Sequence, residues 1–194
     1  MAVIQGTETE KNLAMSFAGE CMARTRYTYY AEIAKKQGYH QIAAIFLETA
    51  ENELAHAKYF FSALKQNGAP PCNVPTSVPL SGIGSTLENL KTAAAGEHEE
   101  CTDLYPKFAD VAEKEGFPKI AAAYRMIGKI EKEHELRYAA LAKRVEEGTV
   151  FKRDTKVQWK CRNCGYVHVG VSAPKVCPAC FHPQGFFEVK ETLE

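Results

Sequence analysis

Apolar and polar positions alternate in steps of three and four along four long stretches of the chain, residues 13–34, 42–63, 87–111 and 120–145. This spacing is typical of a helix with one buried face. Ionisable residues interrupt each apolar stripe near its middle, so we predict four amphipathic helices around a polar centre. In the third stretch the predicted buried face consists of Leu87, Leu90, Ala94, Glu97, Cys101, Leu104, Phe108 and Val111.

Glycine, proline and capping residues mark the ends of these helices. Helix C-termini are predicted at four glycines: Gly38, Gly68, Gly116 and Gly148. Ser85 or Thr86 can cap the third helix, and Pro118 suits the first turn of the fourth. The short connections after the first and third helices predict two antiparallel hairpins. Residues 67–85 are rich in Pro, Gly, Ser and Thr, and at roughly 3.3 Å per extended residue they could cross the whole bundle.

The two halves of the helical region are related by an internal repeat. A shift of 78 positions lays residues 32–56 over residues 110–134. The matched pairs are Gly38 with Gly116, Glu53 with Glu131, His56 with His134 and, outside that stretch, Tyr27 with Tyr105. Glu20, however, falls one position beyond Glu97. A π-bulge near Tyr105–Pro106 would supply the extra residue that reconciles these matches, so we predict one in the third helix.

Four glutamates occupy the predicted apolar stripes: Glu20, Glu53, Glu97 and Glu131. A buried carboxylate costs several kcal/mol unless a positive charge matches it. Two of these glutamates are each followed one turn later on the same face by a histidine, His56 and His134. The ligand set of di-iron and di-manganese bundles has this pattern: two helices each supply one Glu, and the other two each supply one Glu-x-x-His pair. Oxygen and imidazole ligands suit iron or manganese.

Three further residues accompany this set. Glu100 adds a fifth carboxylate beside a site that four would complete. Four carboxylates balance the charge of two ferrous ions, whereas the higher charge of two ferric ions can accommodate a fifth. A carboxylate that binds in one state and leaves in the other therefore suits redox cycling. A second interpretation leaves Glu100 either as an acid that contacts the ligands without binding metal or as an exposed acid. Tyr27 and Tyr105 either pack as core aromatics or hydrogen-bond a ligand carboxylate or a bound peroxide.

The C-terminal region carries a second metal motif of four cysteines in two C-x-x-C pairs: Cys161, Cys164, Cys177 and Cys180. Two such pairs indicate a tetrahedral metal site. The spacing leaves zinc and iron open, but only iron could pass an electron to a redox centre in the bundle. From Thr155 onward we expect small strands organised by this metal, because about forty residues bury too little apolar area alone. Cys21, Cys72 and Cys101 are expected to be inert packing or surface thiols.

Composition narrows the function classes. The 24 basic and 24 acidic residues cancel, so no overall field would attract nucleic acid or an anionic membrane. The N-terminus lacks a secretory signal, and no apolar stretch approaches the roughly 18 residues needed to span a bilayer. We therefore expect a soluble, cytoplasmic protein in a reducing compartment.

The sequence resembles rubrerythrins over nearly its whole length. The resemblance rests on the bundle motifs Glu20, Glu53-x-x-His56, Glu97-x-x-Glu100 and Glu131-x-x-His134. It rests also on the four cysteines within the segments WKCRNCGY and CPACFHPQGFFE. It implies a mainly α protein of two domains. Residues 1–150 would form a ferritin-like four-helix bundle that contains a long crossover, and residues 151–194 would form a small rubredoxin-like β domain. Phe181 stands where rubredoxins often have a glycine, and the knuckle spacing is shorter than theirs, as is usual for the rubrerythrin tail.

The resemblance also implies an activity: a non-haem peroxidase that reduces hydrogen peroxide to water and protects against oxidative stress. Its cofactors would be a di-iron centre (Fe2) in the bundle and one iron bound by four cysteines, where zinc could replace iron in recombinant material. By resemblance, one bundle iron shifts between Glu100 when oxidised and His56 when reduced. Electrons would come from a donor such as a rubredoxin or its NAD(P)H-dependent reductase. Family members form homodimers or higher homo-oligomers, some with helices exchanged between subunits.

Two alternatives belong to other function classes. A ferritin-like ferroxidase or iron-storage protein explains the bundle but gives the cysteine site no role. A zinc-knuckle binding module on a helical scaffold predicts a colourless protein. The visible bands of a ferric tetrathiolate would exclude the second alternative.

Overall fold

The structure, a computed structural model, describes residues 3–74, 77–78 and 83–191. Its helices are α1 (Glu8–Lys36), α2 (His40–Gln66), α3 (Thr86–Glu99), a π-helical segment (Glu100–Leu104), α4 (Tyr105–Lys114) and α5 (Pro118–Glu146). Three strands follow, β1 (Lys152–Cys161), β2 (Val167–Ser172) and β3 (Phe187–Val189), with a 3-10 turn (Gln184–Phe186) before the last. Among the described helices, none is both long enough and apolar enough to cross a bilayer.

The helices form the two predicted hairpins. Helix α1 packs along α2, while α3, the π segment and α4 pack along α5. Gly38 and Gly116 end the first helix of each hairpin at φ 80° and 86°, a conformation that glycine adopts without steric cost. Ser85 caps α3 in a capping box with Glu88, as predicted, and Pro118 opens α5. The predicted crossover falls partly on residues 75–76 and 79–82, which lie outside the described residues.

Two apolar clusters fill the bundle. One contains Tyr27, Tyr30, Ile42, Phe46 and Tyr138, and the other contains Leu13, Phe60, Tyr105, Ile120 and Tyr124. The predicted polar residues lie between these clusters along the bundle axis. Close-packed aromatic side chains on both sides therefore hold the polar centre in a dry, rigid setting.

The π segment changes the buried face of the third helical stretch. Leu90 and Glu97 are buried as predicted, but the prediction is wrong beyond Glu97, where Leu104, Phe108 and Val111 are only partly buried. The fully buried positions are Tyr105, Ala109 and Ala112. A π turn adds one residue to the helix, so every later side chain moves to the next position. The predicted bulge is confirmed, and it lies at Glu100–Leu104, just before the expected place.

The strands form one antiparallel sheet in the order β2–β1–β3. Strand β1 begins at Lys152, three residues before the predicted start. Its Trp159 is buried and donates from Nε1 to the carbonyl oxygen of Gly170 at 3.0 Å. The small core around it contains two of the motif cysteines, Cys161 and Cys177. The core of this region is thus built partly from metal-ligand side chains.

The sheet region rests on the turn between α1 and α2. The ring of Phe186 stacks on His40 with 3.7 Å between centroids, and Phe151 stacks on Tyr39 at 6.1 Å. Gly185 approaches the backbone so closely that a Cβ there would lie 2.2 Å from the carbonyl oxygen of Gly38. Only glycine fits at position 185, so the two regions meet backbone to backbone.

Candidate metal centres

The helices bring six of the seven predicted bundle ligands, all except Glu100, together in the middle of the bundle. Helix α1 supplies one glutamate, α3 supplies another, and α2 and α5 each supply a Glu-x-x-His pair. All six side chains are buried: Glu20, Glu53, His56, Glu97, Glu131 and His134. They fall into two groups of four whose candidate ligand atoms lie within 4.8 Å of one another.

The first group surrounds His56. Its Nδ1 lies 2.9 Å from Glu53 Oε2, 3.0 Å from Glu131 Oε1 and 3.8 Å from Glu20 Oε1. Three helices, α1, α2 and α5, therefore contribute to this group. One imidazole nitrogen thus faces three carboxylates in a space from which bulk water is excluded.

The second group surrounds His134 in the same way. Its Nδ1 lies 2.9 Å from Glu131 Oε2, 3.3 Å from Glu53 Oε1 and 3.8 Å from Glu97 Oε2. Glu53 and Glu131 belong to both groups, and the two imidazole rings are 6.2 Å apart. The internal repeat therefore appears in space as two matched positions that share a pair of carboxylates.

The charges of these groups are strongly coupled. Burial raises the pKa of Glu20 well above its ordinary value and that of Glu97 to about 7. For the histidines burial acts in the opposite direction, but the close carboxylates of Glu131 and Glu53 outweigh it. They raise the pKa of His56 to about 9 and that of His134 to about 12. In the metal-free protein, protons on the imidazoles supply part of the positive charge that the carboxylates need.

Several buried carboxylate oxygens have no hydrogen-bond partner within the described part of the chain. They are Glu20 Oε2, Glu53 Oε1, Glu97 Oε2 and both oxygens of Glu131. Unpartnered buried carboxylates are costly, and these oxygens all belong to the two groups of four. Hard oxygen atoms with one imidazole on each side suit two divalent cations that share Glu53 and Glu131.

Two tyrosines orient the outer carboxylates. The Tyr27 hydroxyl donates to Glu97 Oε1, and the Tyr105 hydroxyl donates to Glu20 Oε1. Burial raises the pKa of both tyrosines, so each remains a donor. In both glutamates the tyrosine engages Oε1, while Oε2 has no hydrogen-bond partner among the described residues. The tyrosines therefore hold each carboxylate in a fixed orientation with one oxygen left for a cation.

Glu100 lies apart from both groups of four. It is the first residue of the π segment, is half-buried, and lines a cleft of about 700 Å³ between α1 and α3. Met22 and Arg26 line the same cleft from α1. Burial and the nearby Glu97 raise the pKa of Glu100, while Arg26 acts against them. The structure thus places Glu100 beside the site, in the lining of this cleft.

Sequence analysis missed Asn52. Its Oδ1 lies 3.3 Å from Nε2 of His134, on the side of the ring that faces away from the carboxylates. This contact fixes the ring orientation of a candidate ligand. The internal repeat offered one signal, because the shift of 78 positions pairs the polar Asn52 with the apolar Ile130. A single amide side chain beside a motif is, however, weak evidence of a role.

The four motif cysteines converge at one end of the sheet. Sγ of Cys161 lies 3.7 Å from that of Cys180, and Sγ of Cys164 lies 3.7 Å from that of Cys177. A tetrahedral ion with bonds of about 2.3 Å to sulfur needs sulfur atoms about 3.8 Å apart, so the four thiols fit one metal. Phe181 adopts φ 61°, which explains why related knuckles often have glycine there.

These features define a class: a ferritin-like bundle with paired carboxylate–histidine metal positions, joined to a four-cysteine knuckle. The chain belongs to the rubrerythrin family. It matches the family "Rubrerythrin" over residues 11–142 and "Rubrerythrin, rubredoxin-like domain" over residues 159–188. The predicted fold class, with its helical bundle and its rubredoxin-like C-terminal region, is thereby confirmed.

Similar proteins span the whole chain. Rubrerythrin of Porphyromonas gingivalis is 57% identical over 189 residues, covering 97% of this chain and 93% of that protein. Rubrerythrin of Clostridium perfringens is 55% identical and covers 99% of this chain and 100% of that protein. A solved structure of nigerythrin in a mixed-valence state superposes with a TM-score of 0.62 at 30% identity, covering 98% of this chain and 92% of the other. The helical bundle and the cysteine knuckle therefore both lie within the part of the chain shared with these relatives.

Proposed function

We propose that this protein is a peroxidase that reduces hydrogen peroxide to water at a di-iron centre, with electrons supplied by an iron in the cysteine knuckle. One observation carries the proposal: two buried groups of four ligands share Glu53 and Glu131 in the same chain as a tetrathiolate site. The cysteine site has no role in iron storage, whereas a peroxidase needs an electron relay. The reducing conditions that free thiolates require favour the cytoplasm.

The proposed ligands are those that the geometry groups together. Glu53 and Glu131 would be shared by two irons, Glu20 and His56 would complete one position, and Glu97 and His134 the other. When bound, the irons supply two electrons and Lewis acidity to the oxygen–oxygen bond. The aromatic clusters exclude water on both sides, so reactive oxygen chemistry stays confined to the centre.

The cleft at Glu100 is the proposed path for peroxide. It is wide enough for a molecule of two oxygen atoms and ends beside Glu100 and Tyr105. Reduction of one peroxide consumes two protons along with two electrons and yields two waters. Because its raised pKa favours the protonated form, the Glu100 carboxyl can hold a proton next to the reacting oxygens. The Tyr105 hydroxyl retains its proton, donates it in a hydrogen bond to Glu20 and so orients that ligand.

Electrons are proposed to arrive from the knuckle of a second copy. The knuckle of the same chain rests near His40 at the start of α2, about 24 Å along the helix from His56 at 1.5 Å per residue. A second cleft, lined by Asn52, Ile130, His134 and Leu136, opens on the α2–α5 face, where the side chains of Ile130 and Leu136 are exposed. An apolar face in front of a candidate ligand suits a homodimer in which each knuckle docks on its partner's bundle. An external rubredoxin or its NAD(P)H-dependent reductase would then reduce the knuckle.

Cys161→Ser tests this division of labour. We expect it to abolish peroxide turnover with a reduced rubredoxin as donor, yet to leave a single turnover of the chemically pre-reduced bundle intact. Stopped-flow absorption under anaerobic conditions measures both. Cys72→Ser, at an exposed thiol outside the knuckle, is the matched control and should behave as the unaltered protein.

Equal loss of both activities in Cys161→Ser would contradict the proposed electron path. Rapid mineral formation from excess ferrous iron and oxygen, with little peroxide consumption, would instead support iron storage.

A further inference from the structure

A third cluster of metal-ligating side chains lies on the outer surface where α3 and the π segment meet α5. It consists of His98, Cys101 and Glu135. His98 Nδ1 lies 3.0 Å from Glu135 Oε1, and Cys101 Sγ lies 3.4 Å from Glu135 Oε2. The three candidate ligand atoms all lie within 4.8 Å of one another.

This cluster is separate from the bundle centre. Its three residues each follow a bundle residue in sequence, but their side chains point outward. The side chain of His98 is 58% exposed and that of Glu135 is 16% exposed, so solutes can reach the cluster. The π segment is responsible, because its extra residue moves Cys101 from the predicted buried face to a place beside Glu135.

We propose that His98, Cys101 and Glu135 bind one divalent cation of the zinc type, in addition to the metals of the bundle and the knuckle. Imidazole, thiolate and carboxylate are the three ligand types that zinc accepts, and three protein ligands leave its fourth position for water. Bonds of about 2.0 to 2.3 Å in tetrahedral geometry require ligand atoms roughly 3.3 to 3.8 Å apart. The separations of 3.0 and 3.4 Å need only small adjustments of exposed side chains.

Lys132 is the competitor of the cation. Its ammonium group lies 2.8 Å from Glu135 Oε2 and so neutralises the carboxylate when no metal is bound. The Lys132 side chain is 44% exposed and can turn into solvent. Removal of this charge should therefore strengthen metal binding, an effect opposite in sign to the loss of a ligand.

The test uses the full protein with iron in both proposed types of site, under anaerobic conditions, and zinc as the probe. Titration against a chromophoric chelator should show one further zinc per chain with no release of iron. Cys101→Ala and His98→Ala should weaken this binding at least about 100-fold, since even outer partners of metal ligands are worth about 10- to 100-fold. Lys132→Met should tighten it.

Two control variants keep the test specific. Cys72→Ala removes an exposed thiol, and Glu133→Gln removes an exposed carboxylate of α5 beside Glu135 in sequence. Both should leave the extra zinc bound with unchanged affinity. With cobalt as a second probe, a near-ultraviolet thiolate band should appear and should be absent in Cys101→Ala. The proposal is overturned if no extra zinc binds, if zinc binds only by displacing iron, or if Cys101→Ala keeps the extra site.

Discussion

The bundle centre and the cysteine knuckle are built in opposite ways. In the bundle, long helices and two large aromatic clusters surround the ligands, and none of the predicted ligands is needed to fill the apolar core. In the sheet region, Cys161 and Cys177 are themselves buried core residues beside Trp159 and Phe187. The fold therefore positions the candidate ligands in the first case, whereas in the second we expect a bound metal to stabilise the fold.

The two regions also differ in what they lose without metal. The bundle keeps unpartnered carboxylate oxygens in a dry interior, so its site works against stability until cations bind. At the knuckle the cost is of another kind, because the small core around Trp159 depends on the cysteines that would bind the metal. Metal removal should thus leave the bundle folded but strained and should leave the sheet region without organisation.

Removal of the knuckle metal should have the largest effect. Structural metal sites of this type contribute on the order of 10 kcal/mol to folding. In Cys177→Ser we expect residues 151–191 to lose protection in hydrogen exchange, while α1, α2 and α5 keep theirs. This pattern would also support the proposed division of the chain near residue 150. Strands that stay protected in the variant would contradict the comparison.

The metal-free bundle should lose stability as the pH rises from about 5 to about 9. Burial raises the pKa of Glu20 and Glu97, and the close carboxylates of Glu131 and Glu53 raise the pKa of His56 to about 9 despite its burial. These groups keep their protons to higher pH when folded than when unfolded, so deprotonation favours unfolding, by several kcal/mol in total. Urea unfolding of protein stripped of metal measures this slope. With metal bound, cations replace the protons, and the same decline should not be seen.

Glu20→Gln should have a smaller effect on the stability of the bundle, and the effect should have opposite signs in the metal-free and the metal-bound protein. Without metal, at pH 8, the substitution should stabilise the bundle by about 1 to 3 kcal/mol, because Glu20 is ionised in the unfolded chain and must either take up a proton or bury its charge on folding. The amide oxygen of the variant can still accept from Tyr105. With manganous ion as a redox-silent probe, the variant should gain less stability from metal than the unaltered protein. Glu32→Gln, at an exposed position of α1, is the control. A metal-free variant less stable than the parent would show that the carboxylate is not under electrostatic strain.

Much of this architecture could be predicted from local sequence signals. Gly38 and Gly116 end helices because few other residues adopt their backbone angles, and Ser85 with Glu88 caps α3 through adjacent groups. The glutamates were found because charge within an apolar stripe needs a partner. Each of these signals depends on residues within a few positions of one another, so no knowledge of the tertiary contacts was required.

Other features depend on contacts between distant parts of the chain. The buried face after Glu97 could not be read without knowing where the π turn begins. Asn52 meets His134 only because α2 packs beside α5. Gly185 gives no sign in sequence that it will touch Gly38, since turn glycines are common. These contacts arise from packing geometry, which a single sequence does not encode in a readable pattern.

The π segment also has a consequence for the two metal positions. If the hairpins arose by duplication, each would have offered the same groups, and the positions would have been interchangeable. The spacing that relates Glu20 to Glu97 places Ala23, a buried residue without a polar group, opposite Glu100. Glu100, the first residue of the π segment, thus ends the equivalence, and only one half of the molecule carries an extra carboxylate beside its metal position.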